Sequence, residues 1–158
     1  MNKHPAYLEL MFRPSTDLVS VVRRFVTEFY HSIFIDTETS SQLALATHEL
    51  LENAAKYSTD GEASLQVVAR RGRVHVLASN RAAPAQIDLL RKYFEEIGSA
   101  PDARELYARM LQRTAVLSSG SGGLGLARIW AESEMEVRLE VTGDQVEIHA
   151  EGTIVPSA

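Results

Sequence analysis

The chain has 158 residues, of which 45% are hydrophobic and 23% are charged, and its formal net charge is −5 at pH 7. These values are typical of one globular domain that is long enough to bury a core without cross-links. The acidic balance provides no basic face of the kind that binds nucleic acid or an anionic membrane. Because there is no cysteine, disulfides, thiolate catalysis and zinc ribbons are excluded. No signal pattern opens the chain and no apolar run approaches membrane-spanning length, so we expect a cytoplasmic protein.

The first half of the chain predicts a strand, two helices and a hairpin from its hydrophobic periodicity. In the first helix, the apolar residues at helical spacing are Val21, Val22, Phe25, Val26 and Phe29. The predicted elements are a strand over Tyr7–Phe12, a helix over Asp17–Ile33 capped by Ser15 or Thr16, a helix from Ser40 or Ser41 to Tyr57, and a hairpin of Glu62–Arg70 and Arg73–Ser79 around Gly72.

The second half predicts a helical segment followed by a second hairpin. Its elements are a short helix marked by Ile87, Leu90, Phe94 and Ile97, a helix over Pro101–Arg113 with a capping box of Ser99 and Asp102, a helix over Leu124–Glu132, and strands over Met135–Val141 and Gln145–Ala150. This order predicts an α+β fold with a mixed, mostly antiparallel sheet and helices on one face. We expect one domain over residues 1–152 and a tail over 153–158.

The second helix carries three polar residues on a narrow stripe beside its apolar edge. At about 100° per residue, Glu49, Asn53 and Lys56 lie close together around the helix axis. A carboxamide oxygen is a suitable Mg²⁺ ligand, a carboxylate can accept a proton, and an ammonium can offset phosphate charge. The same spacing also occurs on ordinary surface helices, so the helix alone does not establish a site.

A glycine-rich turn precedes the last helix. Four of the nine glycines lie between Gly120 and Gly125, and Gly122, Gly123, Leu124 and Gly125 lead directly into that helix. Glycine lets the backbone approach an anion closely, and a following helix directs free N–H groups to the same place. The segment therefore fits either a phosphate-binding turn or a flexible linker. Close packing or ligand approach explains best why a glycine occupies the start of the helix at position 125.

Together the two segments resemble a known superfamily. HELLENAAKYS, followed about sixty residues later by GSGGLGLARIW, resembles the N box and second glycine box of the GHKL (Bergerat-fold) ATPases. Within that superfamily the opening LELMFRPSTDLVSVVRRFVTEF is most similar to the bacterial anti-sigma-factor serine kinases. The resemblance implies a two-layer Bergerat-type domain of the histidine-kinase-like ATPase kind, and it covers nearly the whole chain.

The resemblance also implies roles for residues and cofactors. ATP and Mg²⁺ would be bound, with Asn53 as the metal ligand and Glu49 as the general base. Lys56 would neighbour the phosphates, and the turn around them would be formed by Gly120, Gly122, Gly123, Leu124 and Gly125. The implied partner is a STAS-domain protein, with a sigma factor or another regulator as a further partner, and the resemblance also suggests a homodimer.

The adenine end of the site departs from the family pattern. Where the family has Asp-x-Gly-x-Gly in its first glycine box, this chain has Asn80 and neither glycine. Asn80 can still accept from the adenine amino group through its carbonyl oxygen, although without charge. Two helices also replace the usual ATP lid. This combination is similar to the SiaB-type branch of one-domain kinases, which acts on STAS-domain partners.

The sequence leaves three functions open. The first is a serine/threonine kinase acting on a STAS-domain partner. The second is a non-catalytic module that sequesters such a partner or a sigma factor, with weakened nucleotide binding. The third is a simple ATP hydrolase or clamp, which is disfavoured because the chain lacks the extra domains of such machines. His31, His75 and His149 are scattered along the chain and show no metal-ligand spacing.

Overall fold

The computed structural model describes residues 6–33, 37–59, 61–117, 124–133 and 135–153. These residues form five strands and five helices, with no cis peptide bond among them. In chain order the elements are β1 (Ala6–Phe12), α1 (Thr16–Ile33), α2 (Thr37–Tyr57), β2 (Ala63–Arg70), β3 (Arg73–Arg81), α3 (Pro84–Ser99), α4 (Ala103–Leu117), α5 (Leu124–Ser133), β4 (Glu136–Thr142) and β5 (Gln145–Thr153).

The strands form one sheet in the order β1-β2-β3-β5-β4, and all four neighbouring pairs are antiparallel. Alternate residues of the central strands are buried, as expected when one face of a sheet packs on a helical layer. The buried set on these strands includes Leu65, Val67, Val74, Val76, Val146, Ile148 and Ala150. The predicted α+β fold with a two-layer arrangement is therefore confirmed. The predicted tail begins one residue early, since β5 includes Thr153.

Helix α1 begins where the sequence predicts it, because the Ser15 hydroxyl oxygen accepts from the backbone N–H of Leu18 at 3.3 Å. A buried hydrogen bond of 2.6 Å between Tyr30 Oη and Thr47 Oγ1 then joins α1 to α2. The predicted apolar stripe is broader than the buried one. Val21 and Phe25 are each 52% exposed, whereas the residues one position further on face the core.

Tight turns close both hairpins. Between β2 and β3, Arg71 and Gly72 have φ values of 51° and 76°, so both central residues are left-handed, as in a type I′ turn. The turn between β4 and β5 has φ 63° at Gly143. Because two-residue turns fix strand register, these turns determine which side chains of β4 and β5 share a face of the sheet.

The connection between α3 and α4 differs from the prediction. The predicted capping box of Ser99 and Asp102 is wrong, since Asp102 alone caps α4. Its Oδ1 accepts from the N–H groups of Arg104 at 2.9 Å and Glu105 at 3.2 Å. Ser99 is the last residue of α3, and its hydroxyl donates back to the Glu96 carbonyl at 3.2 Å. Ser99 therefore ends one helix and does not begin the next, and α3 is longer than the short helix expected.

Candidate nucleotide site between α2 and α5

Helix α2 has the two-sided character that its sequence predicts. Leu43, Leu50, Ala54 and Tyr57 are all at most 4% exposed and form the edge that faces the core. Beside this edge, Glu49 and Asn53 are half-buried and Lys56 is exposed. The three polar residues therefore lie at the border between core and solvent.

The carboxylate of Glu49 lies against the first turn of α5. A Cβ atom added to Gly125 would come within 2.2 Å of Glu49 Oε2 and 3.2 Å of Glu49 Cδ. A side chain at this position would displace the Glu49 carboxylate, so glycine lets that carboxylate lie against α5. Of the two explanations that the sequence offered for a glycine here, the structure supplies close packing.

Glu49 also belongs to a charged group that spans the two helices. The Arg128 guanidinium lies 3.4 Å from Glu49 Oε1 and 3.0 Å from Glu132 Oε2. Burial raises the pKa of the Glu49 carboxyl, and the positive charges of His48 and Arg128 only partly offset this effect. On the same side, burial raises the pKa of Tyr107 on α4. Glu49 is thus a more basic carboxylate than usual, which suits a proton acceptor.

Arg128 is a residue of this region that the sequence interpretation missed. It lies three positions after Gly125, and residues with this spacing share one face of a helix. That spacing is the signal that could have indicated it. Its side chain is 40% exposed, so it closes the solvent side of the Glu49 carboxylate, whose side chain is only 13% exposed.

Asn80 lies near the other end of α2. The backbone N–H of Thr59, two residues beyond the helix, donates to the Arg81 carbonyl at 2.8 Å and ties this end to the last residue of β3. The side chain of Asn80 is buried, and its Nδ2 donates to the same carbonyl at 3.2 Å. This bond uses the donor side of the carboxamide and identifies Oδ1 as its acceptor side.

Lys56 is placed by an aromatic contact. Its Nζ lies 5.4 Å from the ring centroid of Tyr57, within the range of a cation–π interaction. Burial raises the pKa of Tyr57 to about 12, helped by the charge of Tyr93 and a hydrogen bond with it.

Of the predicted glycine-rich turn, Leu124 and Gly125 begin α5, whereas Gly120, Gly122 and Gly123 lie outside the described residues.

Comparison with known proteins gives a likeness of fold. No family model matches the chain, and no curated protein matches it. Among solved structures it is similar to a chain of the SiaB–SiaC complex from Pseudomonas aeruginosa, with a TM-score of 0.62, 16% sequence identity, and coverage of 93% of this chain and 89% of that one. None of the described helices is both long and apolar enough to cross a membrane. The structural similarity shows that the chain shares its overall fold with a protein solved in a two-protein complex.

Proposed function

We propose that this protein is a GHKL-type serine/threonine kinase that uses ATP and Mg²⁺ to phosphorylate a STAS-domain partner. The observation that carries the proposal is the placement of Glu49. A half-buried carboxylate with a raised pKa lies where the N-box helix touches the helix that follows the glycine-rich turn. That juxtaposition brings a proton acceptor to the place where the phosphate groups would be held.

Each group in this region would have one task. Asn53 would ligate Mg²⁺ through its carboxamide oxygen, and Lys56 would offset phosphate charge. The backbone N–H groups of Gly120, Gly122, Gly123, Leu124 and Gly125 would face the phosphates. Glu49 would take the proton of the acceptor hydroxyl. The oxygen of that hydroxyl would bond to the γ-phosphorus while the bond between the γ-phosphorus and the β-phosphate oxygen breaks. The protein contributes mainly by holding these groups in line.

The adenine end fits a neutral acceptor. Because Nδ2 of Asn80 donates to the Arg81 carbonyl, Oδ1 is the atom that would accept a hydrogen bond from the adenine amino group. A neutral amide acceptor forms a weaker hydrogen bond with that group than a carboxylate does. We therefore expect ATP binding to depend more on Mg²⁺ and the phosphate end of the site than on the base.

The proposal of a protein partner rests on two supports. The resemblance to anti-sigma-factor kinases points to a STAS-domain acceptor, with a sigma factor or another regulator as a further partner. The likeness of fold to a chain of the SiaB–SiaC complex supports binding of this protein to a second protein. Dimerisation is an expectation of the same resemblance, and a cytoplasmic location stays a prediction of the sequence.

The test compares two glutamates on one helix. Purified protein, Mg²⁺ and γ-labelled ATP are mixed with a STAS-domain protein encoded beside it, and transfer of label to the partner is measured. We expect Glu49→Gln to lower the transfer rate by about 100-fold to 10,000-fold, as loss of a general base does, while ATP still binds. The control is Glu52→Gln, since the Glu52 side chain is 52% exposed and lies 3.9 Å from His48. Equal rates in both variants would exclude Glu49 as the base.

A second function is favoured by the ion pair of Glu49. Arg128 occupies one oxygen of that carboxylate, and a carboxylate held in this way is less available as a base. A non-catalytic module that sequesters its partner would keep such a contact. Calorimetry with ATP and Mg²⁺ distinguishes the two functions. The kinase requires binding that Asn53→Ala weakens, whereas an absence of binding heat at millimolar nucleotide supports the sequestering module.

A further inference from the structure

Three potential metal ligands converge on the sheet face that is turned away from the helices. They are Glu140 on β4 and Glu147 and His149 on β5, and their ligand atoms all lie within 4.8 Å of one another. Strand alternation puts positions 147 and 149 on one face, and the pairing of β4 with β5 sets Glu140 directly opposite Glu147. The sequence interpretation that found no metal spacing around His149 missed this cluster, because strand register creates it.

The histidine of this cluster is buried and incompletely bonded. The side chain of His149 is 8% exposed, and its Nε2 has no hydrogen-bond partner among the described residues. The nearest carboxylate oxygens are Glu147 Oε2 at 3.4 Å and Glu140 Oε2 at 3.6 Å. Both distances exceed the roughly 2.7–2.9 Å of a charge-assisted hydrogen bond. A buried ring nitrogen therefore faces two carboxylates without bonding to either, which is a costly arrangement for a polar atom.

The same distances fit a metal ion shared by the three groups. Tetrahedral zinc with bonds of about 2.0–2.1 Å holds neighbouring ligand atoms about 3.3 Å apart. The separations of 3.4 Å and 3.6 Å from Nε2 are close to this edge length. A divalent ion would also balance the two carboxylate charges. Without it, Glu140 and Glu147 face each other as like charges directly across two strands, which destabilises the pairing.

The surroundings of His149 match those of a metal-bound histidine. Its Nδ1 lies 2.9 Å from His75 Nε2, and the two rings stack at a centroid distance of 5.1 Å. A histidine that binds metal through one nitrogen usually donates its other N–H to a second group, and His75 Nε2 can accept that bond. The Arg138 guanidinium would compete with a metal ion for these side chains, since it contacts Glu140 Oε1 and lies 3.4 Å from His149 Nδ1.

We propose that Glu140, Glu147 and His149 bind one divalent transition-metal ion of the zinc class, through His149 Nε2 and one oxygen of each carboxylate. The fourth position of the ion is left for water or another ligand. The imidazole nitrogen favours zinc, because Mg²⁺ and Ca²⁺ prefer sites made of oxygen alone. This site lies on the opposite side of the sheet from the helical layer that carries Glu49, so it does not rest on the proposed kinase function.

The test is metal titration of the full chain after treatment with a chelator. Calorimetry with Zn²⁺ is expected to give one site per chain, and Co²⁺ is expected to give the visible absorption of a tetrahedral complex. Glu147→Gln is expected to weaken Zn²⁺ binding by roughly tenfold or more, since loss of outer-shell partners alone costs that much. Glu136→Gln is the control, because it removes the same charge from an exposed position of β4 that lies opposite Glu151.

A second variant changes the affinity in the opposite direction. Arg138→Gln removes a positive charge beside the site and is expected to tighten Zn²⁺ binding, which general damage to the sheet would not do. Asn53→Ala is expected to leave Zn²⁺ binding unchanged. Equal Zn²⁺ affinity in the wild type, Glu147→Gln and Arg138→Gln would overturn the proposal. Displacement of Zn²⁺ by equimolar Mg²⁺ would overturn the assignment to the zinc class.

Discussion

The contact between α2 and α5 and the cluster on the open face of the sheet are two charged groups built in different ways. In the first, the Glu49 carboxylate lies against a glycine of the neighbouring helix, in space that a side chain there would take. In the second, Glu147 and His149 are held by strand register and stay at the distances that a small ion would fill. The Glu49 carboxylate has a counter-ion in Arg128, whereas Nε2 of His149 in the open-face cluster has no hydrogen-bond partner among the described residues.

This difference separates groups whose position is fixed by packing from groups whose position suits a ligand. A carboxylate packed between two helices is sensitive to volume, because an added methyl group must displace it. A carboxylate on an open sheet face is sensitive to charge, because solvent can accommodate changes in its shape. A change of volume should therefore affect the α2–α5 contact more, and a change of charge at constant shape should affect the open-face cluster more.

The largest effect is expected from Gly125→Ala. The new Cβ would lie 2.2 Å from Glu49 Oε2, so the half-buried carboxylate must leave its place beside Arg128 or α5 must shift. Overpacking of this kind costs about 1–3 kcal/mol of unfolding free energy, against a small gain in helix propensity. Urea unfolding monitored by circular dichroism measures the change, and loss of phosphoryl transfer should accompany it.

Two further variants make that result specific. Gly98→Ala is the matched control, because Gly98 lies in α3 and an added Cβ there would meet nothing within 4 Å among the described residues beyond its own helix. It should stabilise the protein by about 0.5–1 kcal/mol. Combining Gly125→Ala with Glu49→Ala should restore much of the lost stability, since the remaining Glu49 Cβ is at an ordinary 3.8 Å. A double variant as unstable as Gly125→Ala would show that the glycine serves another purpose.

The same contrast explains how much could be predicted from the sequence. Hydrophobic periodicity predicted the strands and helices, and the resemblance of two segments to a known superfamily implied that both contribute to one site. The partner of Glu49 was missed, because Arg128 becomes a neighbour only when two helices pack. The open-face cluster was also missed, since strand pairing creates it. Pairing of β4 with β5 sets Glu140 opposite Glu147, and His75, 74 positions before His149, contacts it because β3 lies beside β5. The cap of α4 was assigned to Ser99 because local patterns do not show where the previous helix ends.

A pH dependence is expected from Glu49 and would test whether its carboxylate is truly enclosed. Its folded-state pKa is raised above 4.5, so the folded protein binds more protons than the unfolded chain just above that pH. Stability is then fully present below the unfolded pKa and declines as pH rises through the folded pKa. Glu49→Gln should therefore raise the melting temperature relative to wild type at neutral pH, and the gain should shrink towards pH 4.5. Glu52→Gln should show a much smaller trend, because it removes only a neighbouring charge that raises the pKa of Glu49. A gain independent of pH would contradict burial as the cause.

The smallest effect tests the open face, where removal of a charge should help the fold and harm the site. In metal-free protein, Glu147→Gln removes a like charge opposite Glu140 and should stabilise the sheet by about 0.2–1 kcal/mol. Added Zn²⁺ should raise the melting temperature of the wild type by mass action and that of the variant much less, so that the order of stability reverses. If Glu147→Gln is destabilising without metal, Glu147 supports the sheet through its own contacts. The cluster would then resemble the α2–α5 contact, and the distinction between the two regions would fail.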